Sequence, residues 1–141
     1  MKVRIGNYPK DSSKKRKISV EIDDYDIWNL DHTLALIIHP ALIKLRESAH
    51  GAFSVDDEDV PDNIKKSNAP SVEEWETDDH YFDRWKYVLD EMIWAFGQKI
   101  DDKTEEPFFK AIFDKEGYRA WDKRMNKGFK LFGKYYRGLW T

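Results

Sequence analysis

Apolar residues recur at three- and four-residue steps in three separate stretches of the chain. The first stretch runs from Asp24 to His50, and this spacing places an apolar stripe along a helix. It predicts a helix over residues 27–48, with Asp24 or Asp26 as N-cap. Pro40 predicts a kink or break near His39. We expect the other helices to pack on this one. Its apolar positions are Ile27, Leu30, Leu34, Ile37, Ala41 and Leu45.

Two further helical stripes follow in the second half of the chain. One predicts a helix near residues 79–98, with Trp85 and Met92 in the core, and the other predicts a helix near residues 117–137. The second helix has apolar residues at Tyr81, Trp85, Val88, Leu89, Met92, Ile93, Phe96 and Ile100. The third has them at Tyr118, Trp121, Met125, Phe129, Phe132, Tyr136 and Leu139.

Signals for helix starts and for close packing accompany these two stripes. Residues 71–74 match a capping box, and Thr77 or Asp78 could cap a second start. Three glycines, Gly128, Gly133 and Gly138, interrupt the third stripe, and each predicts a close backbone approach or an early helix end.

The N-terminal residues alternate between apolar and polar instead of following a helical period. Val3 and Ile5 lie before a polar turn, and Ile18, Val20 and Ile22 lie after it, which predicts a β-hairpin. The fold class is therefore α+β, with an N-terminal β-hairpin beside a bundle of three principal α-helices. We expect a single domain over residues 1–141, with the hairpin in 1–23 and the helical part in 24–141.

Two segments lack a regular period. Residues 51–70 contain two prolines and the acidic run Asp56–Asp59, and they predict a long acidic surface loop that binds a basic partner or is simply solvated. Residues 101–116 are charged, with a few apolar residues among them, and they predict a short strand or an irregular apolar patch.

Composition limits the chemistry. The chain has no cysteine, so disulfides, thiolate zinc sites and thiol nucleophiles are excluded. No apolar run reaches the roughly 18–20 residues that span a bilayer, and the N-terminus does not resemble a secretory signal. We therefore expect an acidic, soluble, cytoplasmic protein without a membrane partner.

Charge is strongly segregated along the chain. Residues 1–18 and 115–141 each carry a net charge of +6, while residues 19–114 carry −15. The basic ends either fold onto the acidic middle, or the chain presents a basic face for phosphates or an acidic face for a cationic partner. We favour the first arrangement, and it predicts no tight binding to duplex DNA.

A histidine and carboxylate set is the candidate metal site. Two histidines lie seven residues apart on the first predicted helix, and an E-x-x-H pair follows them. Imidazoles with a carboxylate suit a divalent transition metal such as zinc, iron or manganese. The alternative is that these polar residues face water. The candidate ligands are His32, His39, Glu47, His50 and His80.

Basic residues interleaved with aromatics form the candidate phosphate or partner contact. This pattern can hold phosphates and stack bases, although an amphipathic helix with its aromatics in the core is the simpler interpretation. Among the aromatics, Tyr135 and Trp140 lie toward the edges of the stripe and are predicted to be exposed. The candidates are Lys14, Lys15, Arg16, Lys17, Lys127, Lys130, Lys134, Arg137, Tyr135 and Trp140.

Four stretches resemble small hypothetical proteins of tailed bacteriophages: WNLDHTLALIIHP, DDEDVP, LDEMIWAF and LFGKYYRGLW. They extend from residue 28 to residue 140, which is most of the chain. The resemblance implies a viral accessory or structural protein in the cytoplasm of a bacterial host, or in the virion. It implies no activity, cofactor or site residue.

The sequence favours a non-catalytic protein over an enzyme. The principal hypothesis is a phage accessory protein that binds a host or viral macromolecule, with a protein as the favoured partner and a nucleotide as a variant. The alternatives are a small metalloenzyme using the histidine and carboxylate set, and a homo-oligomeric structural component of the virion.

Overall fold

A computed structural model describes residues 1–73 and 75–141. Its regular elements confirm the α+β class, with an N-terminal antiparallel hairpin followed by four helices, three of them long. The strands are β1 (Lys2–Ile5) and β2 (Ile18–Glu21). The helices are α1 (Asp24–Trp28), α2 (Leu30–Ser48), α3 (Tyr81–Gln98) and α4 (Lys115–Lys134). Short 3-10 helices lie at Asp57–Asp59, Asp62–Ile64, Lys66–Asn68, Glu106–Phe108 and Tyr136–Gly138.

The chain divides into two compact units, Met1–Leu34 and Ala35–Thr141. We call them the N-terminal unit and the helical unit. Their boundary falls inside α2, beyond the boundary between residues 23 and 24 that the sequence predicts. The single domain over residues 1–141 stays a prediction.

The hairpin of the N-terminal unit has the predicted alternation. Val3 lies opposite Val20 and Ile5 lies opposite Ile18, so these four side chains share one face of the two-stranded sheet. The Gly6 N–H donates to the Lys17 carbonyl at 2.8 Å and continues the pairing beyond the strands. The loop between the strands contains the basic run of residues 14–17.

The first predicted helix is broken, but not at Pro40. α1 ends at Trp28, and α2 then continues through Pro40 to Ser48, so a break near His39 was wrong, while the kink that was its alternative stays a prediction. Proline removes one backbone donor, and apolar side chains before and after Pro40 are buried and offset that loss. The N-cap is Asp23, whose backbone N–H donates to the Asp26 carboxylate at 2.9 Å.

The core of the helical unit centres on α3 and α4, which pack against each other more extensively than any other pair of helices. The expectation that the other helices pack on the first predicted helix was therefore wrong. The buried face of α2 carries Ala35 and Leu42, whereas Leu34 and Ile37 of the predicted stripe are exposed. α3 lies at the centre because it packs on α4 and its Trp85 ring also contacts Phe53 of residues 51–70. Its buried apolar residues are Trp85, Val88, Leu89, Met92, Ala95 and Phe96.

Residues 51–70 are more than a surface loop. Val55 and Val60 are buried in the core. Three 3-10 helices lie between Asp57 and Asn68. The Asp57 carboxylate accepts hydrogen bonds from the backbone N–H groups of Lys66 at 2.6 Å and Ser67 at 2.9 Å, and these bonds stabilise the loop. The predicted surface loop did not include these two buried residues, because single apolar residues in a charged segment carry no period that would reveal their burial.

Two other predicted features are the helix start signals at residues 71–78 and the charged segment 101–116. The capping box at residues 71–74 includes Glu74, which lies outside the described residues. α3 begins at Tyr81, and Asp78 accepts the His80 N–H at 3.0 Å just before it, as expected for a residue near the helix start. Residues 101–116 contain one isolated bridge, between Phe109 and Phe113, inside an irregular aromatic patch, and no strand among the described residues.

Gly128 allows the close approach of α4 to α3. A Cβ at this position would overlap the Ala95 Cβ and lie 2.7 Å from the Glu91 carbonyl oxygen. Gly138 similarly lies against the Phe53 side chain, whereas no other described residue comes within 4 Å of a Cβ at Gly133, apart from its chain neighbours and the nearby backbone of α4 itself. The predicted close approach is therefore confirmed at Gly128 and Gly138.

Alanine substitutions at two of these glycines should have opposite effects on stability. We expect Gly128→Ala to lower the free energy of unfolding by about 1–3 kcal/mol, because both helices must move apart. Gly133→Ala should raise it by about 0.5–1 kcal/mol, because alanine favours the helix and meets no neighbour. Urea denaturation followed by circular dichroism measures both, and a loss of stability in both variants would contradict this account.

Candidate functional site

A groove of the helical unit lies between α3 and α4 and has a volume of about 1010 Å³. Tyr87 and Glu91 line it from α3, and α4 contributes the remaining residues, most of them polar or charged. We call it the α3/α4 groove. The residues from α4 are Ala120, Asp122, Lys123, Arg124, Asn126, Lys127 and Lys130.

Arg124 is held in place inside the groove. Its Nε and Nη2 donate to the two carboxylate oxygens of Glu91 at 3.2 and 2.8 Å, and its guanidinium lies 4.0 Å from the centroid of the Trp94 ring. These hydrogen bonds raise the pKa of Arg124 above its ordinary value. A paired and stacked guanidinium is ordered before a ligand arrives, which lowers the entropy lost on binding.

Three lysines of α4 give the groove its positive charge. Lys123 and Lys130 are exposed, and the half-buried Lys127 has its Nζ 5.5 Å from the centroid of the Tyr87 ring. None of the three has an ion-pair partner among residues 1–73 and 75–141. Their spacing of four and three residues extends them over about 10 Å of one helix face. The groove can therefore hold several negative charges arranged in a line.

The acidic run of residues 56–59 is neutralised from within the chain. Asp56, Glu58 and Asp59 have carboxylate oxygens within 4.8 Å of one another, as metal ligands would. However, the Lys134 ammonium lies 2.8, 2.8 and 2.6 Å from these three carboxylates and raises the local positive charge where a cation would bind. Hydrogen bonds to the carboxylates raise the pKa of Lys134 in turn.

Tyr135 completes this cluster. Its hydroxyl donates to Asp59 Oδ2 at 2.6 Å and accepts the Asp56 N–H at 3.0 Å. Burial, followed by the hydrogen bond to Asp59, raises the pKa of Tyr135 to about 12. The cluster therefore attaches the loop of residues 51–70 to the end of α4, and its arrangement is that of a structural site.

The predicted basic and aromatic contacts are divided between several places. In the helical unit, Lys127 and Lys130 line the α3/α4 groove. Lys134 forms ion pairs with the acidic cluster, and Arg137 is exposed on the last 3-10 helix. In the N-terminal unit, Lys14, Lys15 and Lys17 are exposed on the hairpin loop. Arg16 donates to the Gly6 carbonyl and lies 4.3 Å from the centroid of the Tyr8 ring.

The predicted exposure of the last aromatics was half right. Trp140 is 56% exposed, but Tyr135 is only 3% exposed, and its neighbour Tyr136 is 63% exposed. Tyr135 is buried because it lies four residues after the buried Leu131 on the same helix face, and its N–H still donates to the Leu131 carbonyl at 2.9 Å, as in an α-helix. The predicted stripe placed Tyr136 on this face instead.

The predicted metal ligands of the helical unit are not brought together. His39 packs against Gly97 of α3, and His50 lies beyond the end of α2 at Ser48. Glu47 is exposed, and His80 has its Nδ1 3.1 Å from Asp83 Oδ2. Within the described ranges, the acidic cluster is the one group of three or more such residues with metal-like spacing. His32 lies in the N-terminal unit and is half-buried.

Sequence reasoning missed Arg124 and Lys123 as groove residues. The signal was present, because Lys123, Lys127 and Lys130 continue one basic row on α4 at helical spacing. Their aromatic and acidic neighbours come from α3, and the sequence does not reveal which turns of the two helices face each other.

No protein family, curated protein or solved structure matches this chain. Among the described residues, no helix is both long and apolar enough to cross a membrane.

Proposed function

We propose that this protein is a non-catalytic binding protein whose α3/α4 groove takes an acidic segment of a protein partner. The observation that supports this most is the row of three lysines without ion-pair partners among the described residues, beside an arginine that Glu91 and Trp94 hold in place. Arg124 Nη1 also makes no hydrogen bond within the described part of the chain, so a donor remains for a carboxylate.

The charge distribution favours an acidic peptide over nucleic acid. The helical unit as a whole carries 17 Lys or Arg against 21 acidic residues, a net charge of −4. A DNA duplex would meet this net negative charge, whereas a short acidic segment needs only the groove.

The biological setting rests on the resemblance to small proteins of tailed bacteriophages. It supports an accessory protein made in the cytoplasm of a bacterial host, with a host or viral protein as the partner. The chemistry of the groove does not depend on that setting, so binding can be tested first.

Binding to a labelled peptide of about eight glutamates should depend on the groove lysines. We expect fluorescence anisotropy to give micromolar affinity at low salt that weakens as salt rises, since the contacts are ionic. Lys127→Glu combined with Lys130→Glu should weaken binding by about tenfold or more, because attraction becomes repulsion. The matched control is Lys86→Glu, an exposed lysine of α3 outside the groove, which should change affinity by less than about twofold.

The same titration with ATP, single-stranded DNA and duplex DNA distinguishes the ligand classes. We expect no sub-micromolar binding to duplex at about 150 mM salt. If a nucleotide or single strand binds more tightly than the peptide, and the double variant loses that binding, the ligand of the groove is the nucleotide or single strand and not an acidic peptide. An equal loss in Lys86→Glu, or no loss in the double variant, would refute the groove as the binding site.

A further inference from the structure

The N-terminal unit has regular structure but no buried side chain. All of its 34 residues are exposed or half-buried. A two-stranded hairpin is at best marginally stable alone, and a third strand, a second sheet or a helix must normally cover its apolar face. The unit therefore requires a cover for that face.

The uncovered apolar surface is large. The four strand side chains that share one face, Val3, Ile5, Ile18 and Val20, are all exposed. Tyr25 and Trp28 stack on each other and are 90% and 87% exposed. Eleven large apolar side chains of the unit are exposed: Val3, Ile5, Tyr8, Ile18, Val20, Ile22, Tyr25, Ile27, Trp28, Leu30 and Leu34.

The eleven exposed apolar side chains of the unit, of which the four strand side chains are a part, together have an area comparable to one side of a stable interface. Aromatic residues can each bury roughly 150–250 Å², and the aliphatic residues add to them, so the exposed apolar total is on the order of 800 Å². A standard interface also takes about 800 Å² from each partner.

The charges of the unit are complementary to a second copy of itself. Residues 10–17, in the hairpin loop, carry five Lys or Arg and one acid, whereas residues 21–26 carry four acids, two of which are ion-paired within the unit, Glu21 with Lys2 and Asp26 with the Met1 amine. β2 runs from the loop at Ile18 to Glu21, so the acidic residues lie at the end of the hairpin remote from the loop. Two antiparallel hairpins would therefore place each basic loop beside an acidic end.

We propose that the N-terminal unit is a homodimerisation element. Two hairpins pack through the apolar face of Val3, Ile5, Ile18 and Val20, around a twofold axis perpendicular to the strands. The interface is isologous, as in most homodimers, and its apolar centre excludes water while the charged ends select the antiparallel orientation. This inference does not depend on the α3/α4 groove, which lies in the helical unit.

Sedimentation of the full chain at about 1–100 µM measures the association directly. We expect a monomer–dimer equilibrium, with Ile18→Lys weakening it by about tenfold or more because it places a charge in the apolar centre. The matched control is Ser19→Lys on the opposite face of the same strand, which should leave it nearly unchanged. A monomer at every concentration, or a dimer that tolerates Ile18→Lys, would overturn the proposal.

Charge reversal provides a test that does not disturb the apolar face. One variant carries Lys14→Glu and Lys15→Glu, and the other carries Glu21→Lys and Asp24→Lys. Each alone should dimerise about tenfold more weakly, because the reversals bring residues 10–17 or residues 21–26 to a net charge of zero and both loop–end contacts lose their attraction. Their equimolar mixture should recover part of the association as a heterodimer, because one of its two loop–end contacts keeps the charges of the parent protein. Failure of the mixture to recover would rule out the antiparallel arrangement.

Discussion

Trp85→Ala should lower the free energy of unfolding by about 3–5 kcal/mol, as truncation of a buried aromatic residue does. Trp85 is 1% exposed, and its ring lies about 6 Å, centroid to centroid, from both Phe53 and Tyr135. The variant would leave a cavity where the loop of residues 51–70, α3 and the end of α4 meet. Chemical denaturation followed by circular dichroism measures the loss, and a value below about 1 kcal/mol would contradict this packing.

The conservative variant Trp85→Phe separates volume from hydrogen bonding. Trp85 Nε1 is buried and has no hydrogen-bond partner among the described residues. A buried donor without a partner is destabilising by about 1–3 kcal/mol, so its removal should offset most of the lost volume. We therefore expect Trp85→Phe to lower stability by less than about 1 kcal/mol. A loss equal to that of Trp85→Ala would mean that the indole N–H makes a stabilising hydrogen bond.

Asp78→Ala should also destabilise the protein by about 3–5 kcal/mol, because it leaves a buried guanidinium without its counter-ion. Arg84 is 2% exposed, and its Nη1 and Nη2 donate to the Asp78 carboxylate at 2.9 and 2.6 Å. Nη1 also donates to the Ile64 carbonyl at 3.0 Å, which ties the loop of residues 51–70 to α3. The measurement is the same denaturation experiment.

Two comparison variants identify the cause of the Asp78→Ala effect. Asp78→Ala combined with Arg84→Met should regain most of the lost stability, because an apolar side chain can replace the buried pair. Asp83→Ala removes an exposed carboxylate beside His80 and should change stability by less than about 0.5 kcal/mol. If the double variant is no more stable than Asp78→Ala, the unpaired charge is not the cause.

The same ion pair predicts the direction of a pH effect. The hydrogen bond from Arg84 lowers the pKa of Asp78 below its ordinary value of 3.8. Because the native state binds this proton more weakly than the unfolded state, the pair contributes its full stability above about pH 4. That contribution is lost as pH falls through the native pKa of Asp78. Asp78→Ala should accordingly show a shallower loss of stability on acidification than the parent protein.

Local pattern was sufficient for the elements whose periodicity is strong. The alternation of apolar and polar residues around Val3, Ile5, Ile18 and Val20 predicted the hairpin. The apolar period of residues 79–98 predicted α3 and its buried Trp85. These predictions are reliable because a strand or helix displays its faces at a constant period, which neighbouring residues alone reveal.

Tertiary structure decided which apolar face is buried and which charges remain available. The stripe from Ile27 to Ile37 has the period of a buried face, yet it is exposed, and burial of α2 falls on Ala35 and Leu42. Likewise, Lys134 continues the basic row of α4 but lies among three carboxylates, whereas Lys127 and Lys130 remain in the groove. Period and charge are properties of a single segment, whereas burial and ion pairing depend on residues that are distant in the sequence. The sequence therefore determined the elements of this protein, and only the packing of α3, α4 and the loop of residues 51–70 decided its groove.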